Sequence, residues 1–275
     1  MDLDDPGLVT VLDEVPVWSA PFGRRLLERV RLRSGFTVLD IGCGTGFPLL
    51  EIAQRLGPAG RAVGIDPWGA ALARAREKAR VYGASRAHVV RAVGEGLPLA
   101  DGSVDLIVSN NGLNNVQDPP AVLAECYRVC RPGAQLVATM NLPETMGLFY
   151  EAFAATLAEL GLGERVATMR RHIHEKRKPV EETEALIRGA GFAIELGERD
   201  EFTWRFLDGR ALFQHFIIRL GFLPAWASVV GEADAPRVFT ALQARLDAVA
   251  AERGELPLAV PFVCLDCCKL ERPRA

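Results

Sequence analysis

Several features that mark whole classes of protein are missing from this sequence. Its 32 lysines and arginines are outnumbered by 35 aspartates and glutamates, and the formal net charge is -3. A dedicated nucleic-acid-binding protein normally carries a basic excess, so we expect no nucleic-acid partner. No run of about eighteen uninterrupted apolar residues occurs, so we also expect no membrane-spanning helix.

The sequence also lacks a secretory signal and a disulfide framework. It opens with Asp2, Asp4 and Asp5, whereas a signal peptide begins with basic residues and continues into an apolar run. Six cysteines in 275 residues are too few to form a disulfide framework in a chain of this length. Both observations favour the reducing cytoplasm as the compartment.

The cysteines near the C-terminus have the spacing C-x-x-C-C. Cys264, Cys267 and Cys268 would need further ligands to form a structural zinc site. Cys126 and Cys130 supply such ligands only if the fold brings them close. We favour the alternative, in which these cysteines are small buried hydrophobic side chains, and we predict no metal site.

What the sequence does contain is an alternation of short apolar runs and helical patterns. Runs typical of buried strands begin at Phe36, Ala62, His88, Asp105 and Gln135. Helical patterns lie between them, and one further helix is expected in the lead-in before residue 36. Strands that alternate with helices indicate βαβ units and a parallel sheet.

The alternation changes after Met140, where helical patterns dominate. Strands are expected at 192–196 and 260–265. The predicted fold class is therefore α/β, a doubly wound, mainly parallel seven-stranded sheet with helices on both faces. We predict a single domain over 1–275. Two helical insertions, at about 143–178 and 203–256, would form a cap for the substrate.

The loop after the first strand carries the strongest signal. Asp40 ends the strand, and glycines follow at positions 42, 44 and 46. Glycine-rich turns between strand and helix also bind dinucleotides, but with the spacing G-x-G-x-x-G rather than G-x-G-x-G. A carboxylate at Asp40 repels a pyrophosphate and attracts an ammonium group. S-adenosylmethionine carries such a group, so the loop favours this cofactor over NAD.

The second strand ends at Asp66, twenty positions after Gly46. A carboxylate at this place accepts hydrogen bonds from ribose hydroxyls. The alternative is that Asp66 only caps the next helix. Trp68 follows closely and is a candidate to cover the adenine.

From about Pro21 to Asn141 the chain resembles the class I, Rossmann-like methyltransferases, especially those that act on small molecules and quinone-type lipids. Four ordered segments carry the resemblance, which are VLDIGCGTG at 38–46, VGID at 63–66, GEGLPLADGSVDLIVSN at 94–110 and LAECYRVCRPGAQL at 123–136. The resemblance implies S-adenosylmethionine as cofactor and S-adenosylhomocysteine as product. It also implies that Asp40 and Gly42 hold the methionine amino group, that Gly44 and Gly46 form the floor of the site, and that Asp66 binds the ribose.

The third and fourth loops follow the family less closely. Family members often carry an acid that reaches the adenine amino group at the position where this chain has Val93. Glu95 or the backbone of Gly94 would take over that role, unless adenine is held mainly by Trp68. The resemblance places Asn110 where family members touch both cofactor and substrate.

The catalytic base, if the acceptor requires one, is not defined by the sequence. Methyl transfer is an in-line displacement that depends mainly on alignment and exclusion of water, and a hydroxyl or carbon acceptor also needs a base. His172, His174 and His215 are weak candidates. We favour a solvated basic face for the first two and a satisfied core position for His215. The basic residues beside them, which would otherwise attract an acidic or phosphate-bearing acceptor, are Arg170, Arg171, Lys176, Arg177 and Lys178.

Aromatic residues are concentrated late in the chain, and they bear on the acceptor. They pack the core of the inserted helices, or they line an acceptor pocket. In the second case the acceptor is a small apolar or aromatic molecule. Two alternatives stay open, a non-catalytic S-adenosylmethionine-binding scaffold or sensor and a nicotinamide-dependent oxidoreductase. The aromatic residues are Phe202, Trp204, Phe206, Phe213, Phe216, Phe222 and Trp226.

Overall fold

Strands form where the apolar runs predict them, but several are longer than those runs. The structure is a computed structural model that describes residues 5–14 and 17–270; Asp2 and Asp4 lie outside the described residues. The strands are β1 Thr37–Ile41, β2 Arg61–Asp66, β3 Ala87–Arg91, β4 Val104–Asn110, β5 Cys130–Asn141, β6 Phe192–Phe206 and β7 Leu256–Lys269.

The helices follow the predicted order, with one addition at the N-terminus. Two helices precede β1 where the sequence predicted one, because the first is only nine residues long and was not recognised. The helices are α1 Pro6–Glu14, α2 Ser19–Arg29, α3 Leu49–Leu56, α4 Gly69–Val81, α5 Pro119–Val129, α6 Gly147–Glu159, α7 Arg165–Lys176, α8 Val180–Gly189, α9 Gly209–Gln214, α10 Leu223–Val230 and α11 Ala235–Arg253.

The strands form one seven-stranded sheet in the order β3-β2-β1-β4-β5-β7-β6. The first five strands pair in parallel, with Asp40 opposite Gly64 of β2 and Val108 of β4. The sheet is mostly parallel, with one antiparallel hairpin, and helices lie on both sides. The predicted fold class is confirmed. In such sheets ligands bind outside the carboxyl ends of the strands, where the order reverses, and β1 lies at that reversal.

The chain divides into two compact units. Among the described residues, the sheet unit comprises 5–14, 17–140, 180–200 and 262–270, and the helical unit comprises 141–179 and 201–261. The helical unit therefore takes in the two stretches that the sequence predicted as insertions, with somewhat different limits. That these stretches form a cap for the substrate stays a prediction.

The core of the sheet unit is built from the apolar runs themselves. Val38, Leu106 and Val137 are fully buried on neighbouring strands, and Ile52 of α3 packs against them. Cys264 joins this core as a small apolar side chain. The central strands β1, β2 and β4 are buried along most of their length, as expected when a parallel sheet is covered by helices.

The core of the helical unit is aromatic. Phe149 of α6 stacks on Trp226 of α10 with ring centroids 4.0 Å apart. Phe213 packs edge-on against the same tryptophan, at 6.4 Å. Trp226 and Phe213 therefore pack with other rings, as the first of the two alternatives for the aromatic segment requires. No helix in the two described ranges combines the length and apolar character needed to cross a membrane.

Two boundaries differ from the sequence-based prediction. Helix α5 ends at Val129, and β5 begins at once with Cys130, so Pro132 and Gly133 lie in the strand rather than close the helix. Strand β6 continues to Phe206, ten residues beyond the predicted end at 196. Its second half was not predicted because it alternates exposed and half-buried residues rather than forming an apolar run. Its acidic residues pair with α2, as Asp200 does with Arg25 at 2.7 Å.

Candidate functional site

The loop after β1 turns at three glycines. Gly42, Gly44 and Gly46 have φ angles of 75°, 50° and 103°, in the left-handed region that favours glycine. The backbone N–H of Gly42 donates a hydrogen bond to the carbonyl of Ile65 at 2.9 Å. The glycine loop is therefore tied to the end of β2.

Asp66 connects this loop to the next one. One oxygen of its carboxylate accepts a hydrogen bond from the backbone N–H of Gly44 at 2.9 Å, and the other accepts from the N–H of Trp68 at 2.8 Å. An ionised carboxylate has about four acceptor positions, so both oxygens retain capacity for a ligand. The side chain joins two loops and makes no hydrogen bond to the N–H groups of α4, so the capping alternative is wrong, and it also faces open space.

That space is a cavity of about 550 Å³ within the sheet unit, a volume typical of small-molecule sites. It lies at the carboxyl ends of β1 to β4, and the loops that follow these four strands surround it. Residues 18 and 19 add the start of α2. The lining residues are Trp18, Ser19, Ile41, Gly42, Ile65, Asp66, Pro67, Ala92, Val93, Gly94, Glu95, Asn110, Asn111, Gly112, Asn115, Val116 and Gln117.

Asp40 lies directly before the cavity-lining residues Ile41 and Gly42, and it is fully buried. Neither carboxylate oxygen has a hydrogen-bond partner in the described structure. Burial, together with repulsion from the carboxylate of Asp66, raises the pKa of Asp40 to about 8, and the backbone of Leu49 offsets this only in part. A nearby positive charge would reverse the effect.

The third and fourth loops are held by side chains that also reach the cavity. Glu95 accepts hydrogen bonds from the backbone N–H groups of Gln117 and Asp118, both at 3.1 Å. The Asn110 amide donates to the carbonyl of Ser19 at 3.1 Å, and its oxygen accepts from the Thr139 hydroxyl at 3.0 Å. Both side chains therefore position backbone around the cavity.

The structure brings together all nine predicted cofactor residues at one edge of the sheet. Those that line the cavity are Gly42, Asp66, Gly94, Glu95 and Asn110. The others lie within four positions of a lining residue in the chain, and they are Asp40, Gly44, Gly46 and Trp68. Their individual contacts with a cofactor stay predictions.

The three histidines all belong to the helical unit. His172 and His174 lie on α7, the first half-buried and the second exposed. Burial, with the charges of Arg177 and Lys176, lowers the pKa of His172. His215 follows α9, and its Nδ1 is buried without a hydrogen-bond partner in the described part of the chain. The expectation of a satisfied core histidine is therefore wrong, because aromatic rings surround it. Its neighbours are Trp204 and Phe206, each 5.4 Å away between ring centroids.

The N-terminal segment contributes to the site in ways that sequence patterns did not reveal. Trp18 and Ser19 line the cavity. Asp13 of α1 accepts hydrogen bonds from Lys78 at 2.5 Å and Arg74 at 3.0 Å. Burial alone would raise the pKa of Asp13, but hydrogen bonds from Lys78 and from Thr45 of the glycine loop lower it. These contacts span more than 30 residues of chain, so no local signal predicts them.

The cysteines behave as buried apolar groups. Burial raises the pKa of Cys264 to about 12, and it raises the pKa of Cys130 to the same value. All six are free thiols, and only Cys268 is more than slightly exposed. Among residues 5–14 and 17–270, no three His, Cys, Asp or Glu side chains lie close enough to share a metal ion.

Gly112 provides the closest approach of backbone segments at the site, and substituting it is our first prediction. A Cβ atom there would lie 2.4 Å from the carbonyl oxygen of Ile41 and 2.8 Å from Oγ of Ser109. We expect Gly112→Ala to lower the free energy of unfolding by about 1–3 kcal/mol, the usual cost of overpacking. Urea denaturation measures this value.

The matched control for that prediction is Gly96→Ala. A Cβ at Gly96 meets nothing within 4 Å, so we expect no loss of stability and a small gain from reduced freedom of the unfolded chain. Equal stability of the two variants would show that the loops after β1 and β4 are not in close contact.

The fold and the site together define a class of protein. A sheet of this strand order, with a glycine-rich turn at its reversal point and a cavity at the carboxyl ends, is that of a Rossmann-like cofactor-binding protein. Comparison with known proteins supports the predicted resemblance. Residues 39–138 match the model of a methyltransferase domain. This part of the chain is therefore similar to the class I, Rossmann-like methyltransferases, as the sequence predicted.

Similar proteins support this assignment over part of the chain. A demethylmenaquinone methyltransferase of Lactococcus lactis is 26% identical over 55% of this chain and 59% of its own length. An arsenite methyltransferase of Halobacterium salinarum is 30% identical over 62% of this chain and 40% of its own length. This chain therefore spans about half the length of these relatives. The crystal structure of a putative methyltransferase from Bacillus halodurans has a TM-score of 0.63 and 16% identity, and covers 90% of this chain and 98% of its own.

Proposed function

We propose that the protein transfers a methyl group from S-adenosylmethionine to a small molecule. The observation that carries this proposal is the pair of carboxylates at the carboxyl ends of β1 and β2. Asp40 is buried without a hydrogen-bond donor and has a raised pKa, and repulsion from Asp66 contributes to that rise. Two neighbouring acids favour a cationic ligand and disfavour a pyrophosphate.

The residues present fit this cofactor. Asp66 retains acceptor capacity for ribose hydroxyls, and the cavity has the volume of a small-molecule site. A cationic ligand with ammonium and sulfonium groups would lower the raised pKa of Asp40 and so favour its ionised form, which attracts those groups. Because Asp40 is fully buried, we propose that it does not touch the cofactor. Its ionised carboxylate would attract the cofactor's cationic groups across the backbone of the glycine loop.

The chemistry requires little from the protein beyond binding and alignment. S-adenosylmethionine supplies a methyl group that its sulfonium has already activated. The chain's own residues would hold the cofactor through Asp66 and the glycine loop, and the loops from 93–95 and 110–117 would restrict its orientation and exclude water. The side-chain amide of Asn110 donates a hydrogen bond to the Ser19 carbonyl and so positions the start of α2 beside the cavity.

For the acceptor, we propose a small apolar or aromatic molecule such as a quinone-type compound, methylated on O, C or N. One similar protein is named for demethylmenaquinone and another for arsenite. The raised pKa values of Cys264 and Cys130 leave little thiolate for a metalloid, since the thiolate is the metal ligand. This favours the quinone-type acceptor. Free, mostly buried cysteines support the reducing cytoplasm as the compartment.

Calorimetry tests the cofactor assignment, and this is our second prediction. We expect S-adenosylhomocysteine to bind and NADH to give no heat of binding, because the carboxylate of Asp66 lines the cavity and repels a pyrophosphate. Tight NADH binding without a response to S-adenosylhomocysteine would instead establish the nicotinamide alternative.

A screen with labelled methyl donor separates the enzyme from a cofactor-binding scaffold. The acceptors to compare are a demethylated naphthoquinol, a simple phenol, an aromatic amine and arsenite. We expect label to transfer to the naphthoquinol in an amount that depends on cofactor concentration. Binding of S-adenosylhomocysteine with no transfer to any member of the set would favour the scaffold.

A further inference from the structure

Arg177 follows α7 in the helical unit, and its side chain is only 6% exposed. The basic run around it predicts a solvated face for this arginine, and that prediction is wrong. Its guanidinium lies over the ring of Tyr150, 5.4 Å from the centroid, and donates a hydrogen bond to the Tyr150 hydroxyl at 3.3 Å. A buried guanidinium normally pairs with a carboxylate, and none of the described residues supplies one.

The groups around this guanidinium add donors rather than acceptors. Trp226 is 1% exposed and donates from its indole N–H to the same Tyr150 oxygen at 3.0 Å. A hydroxyl has two lone pairs and one proton, so both lone pairs of Tyr150 are used and its proton still needs an acceptor. Arg177 has five N–H donors. One of them donates a hydrogen bond, the one to the Tyr150 hydroxyl. Among the described residues no acceptor takes the remaining donors, which are therefore available to a ligand.

The groups of the cluster compensate only part of the positive charge of Arg177. The C-terminal end of α7 supplies the equivalent of roughly half a negative charge, and the Tyr150 ring adds a cation–π contact. Neither provides an oxygen atom that accepts from the remaining N–H and O–H groups. The positive potential also extends to a neighbouring side chain, since Arg177 contributes to the lowered pKa of His172.

We propose that Arg177, Tyr150 and Trp226 form a binding site for an oxyanion in the helical unit, where a carboxylate or phosphate group of a small molecule accepts hydrogen bonds from Arg177 and Tyr150. Planar guanidinium groups bind such oxyanions through paired N–H bonds. The aromatic surroundings of Tyr150 and Trp226 favour a ligand whose remaining part is apolar. This site is a property of the helical unit and does not rest on the proposed methyl transfer.

The experiment, our third prediction, uses the full chain and two probes, sodium benzoate and inorganic phosphate. Binding is measured by calorimetry and by the shift in melting temperature, at constant ionic strength set with chloride, because phosphate also stabilises proteins by exclusion from the surface. We expect at least one probe to bind, and Arg177→Met to weaken that binding by roughly tenfold or more, the effect of losing a charged hydrogen bond. Benzoate identifies a carboxylate site and phosphate a phosphate site.

Two further variants make the result specific. Arg170→Met removes an exposed arginine of the same helix and should leave probe binding unchanged. Tyr150→Phe keeps the ring and removes the hydroxyl, so it should weaken binding severalfold even if Arg177→Met fails to fold. The proposal is overturned if neither probe binds the wild type, or if Tyr150→Phe and Arg177→Met bind as the wild type does. S-adenosylhomocysteine binding, measured on the same samples, reports separately on the sheet unit.

Discussion

Replacing Asp66 by alanine is expected to weaken binding of S-adenosylhomocysteine by about 1–3 kcal/mol, or roughly 5- to 150-fold. The variant loses the acceptor proposed for the ribose hydroxyls. It also leaves the backbone N–H groups of Gly44 and Trp68 without the oxygens that hold them at 2.9 and 2.8 Å. Both losses act on the same loops, so the effect should be at the upper end of this range.

Two variants separate the contributions to this result. Asp66→Asn keeps one side-chain oxygen as an acceptor, and we expect a smaller loss of affinity than for alanine. Asp208→Ala removes an aspartate that likewise accepts from a backbone N–H, that of Ala211 at 2.7 Å, but it lies in the helical unit. Calorimetry should show unchanged affinity there. If Asp66→Ala also binds normally, the ribose assignment is wrong.

The part of the site built from one strand and its following loop could be predicted from the sequence. Positions 42, 44 and 46 favour glycine because their φ angles are positive. The sequence shows this requirement directly as the spacing G-x-G-x-G. Asp66 follows the next apolar run directly. The parallel sheet was predictable for the same reason, because buried strands appear as short apolar runs between helical patterns.

Features that depend on distant pairs of residues could not be predicted in this way. Asp13 reaches Lys78 of α4 and the hydroxyl of Thr45, and Ser19 meets Asn110, through folding that no local pattern encodes. The second half of β6 was missed because its stability comes partly from partners such as Arg25. Arg177 looked like its exposed neighbours in a basic run, and only packing against Tyr150 distinguishes it.

Asp40 provides the second large effect, on stability and its dependence on pH. The folded protein holds this carboxyl with a pKa of about 8, raised from 3.8 by burial and by Asp66. Between these values the folded state retains a proton that the unfolded chain has lost. The free energy of unfolding therefore has its largest contribution from this group below pH 4. The contribution falls as the pH rises from about 4 to about 8 and is lowest above pH 8.

We expect Asp40→Asn to be more stable than the wild type by about 1–3 kcal/mol at pH 9, because the amide never carries the buried charge. At pH 4 the two proteins should differ little, since the wild-type carboxyl is then neutral as well. Urea denaturation at pH 4, 6.5 and 9 measures the difference. Glu232→Gln, which removes an exposed glutamate between α10 and α11, controls for the change in net charge. A difference between Asp40→Asn and the wild type that does not grow with pH would contradict the raised pKa.

The same variant should bind the cofactor less well, and this result connects the buried charge to function. A cationic ligand favours the ionised form of Asp40, so binding to the wild type below pH 8 should release protons. Calorimetry in buffers of different ionisation enthalpy counts them. In Asp40→Asn this release should fall, and affinity should no longer increase towards pH 8. A variant that is more stable yet binds more weakly would mean that the carboxylate is retained at a cost in stability because it attracts the methyl donor. A variant that gains stability with affinity and proton release unchanged would show instead that Asp40 plays no part in holding the cofactor.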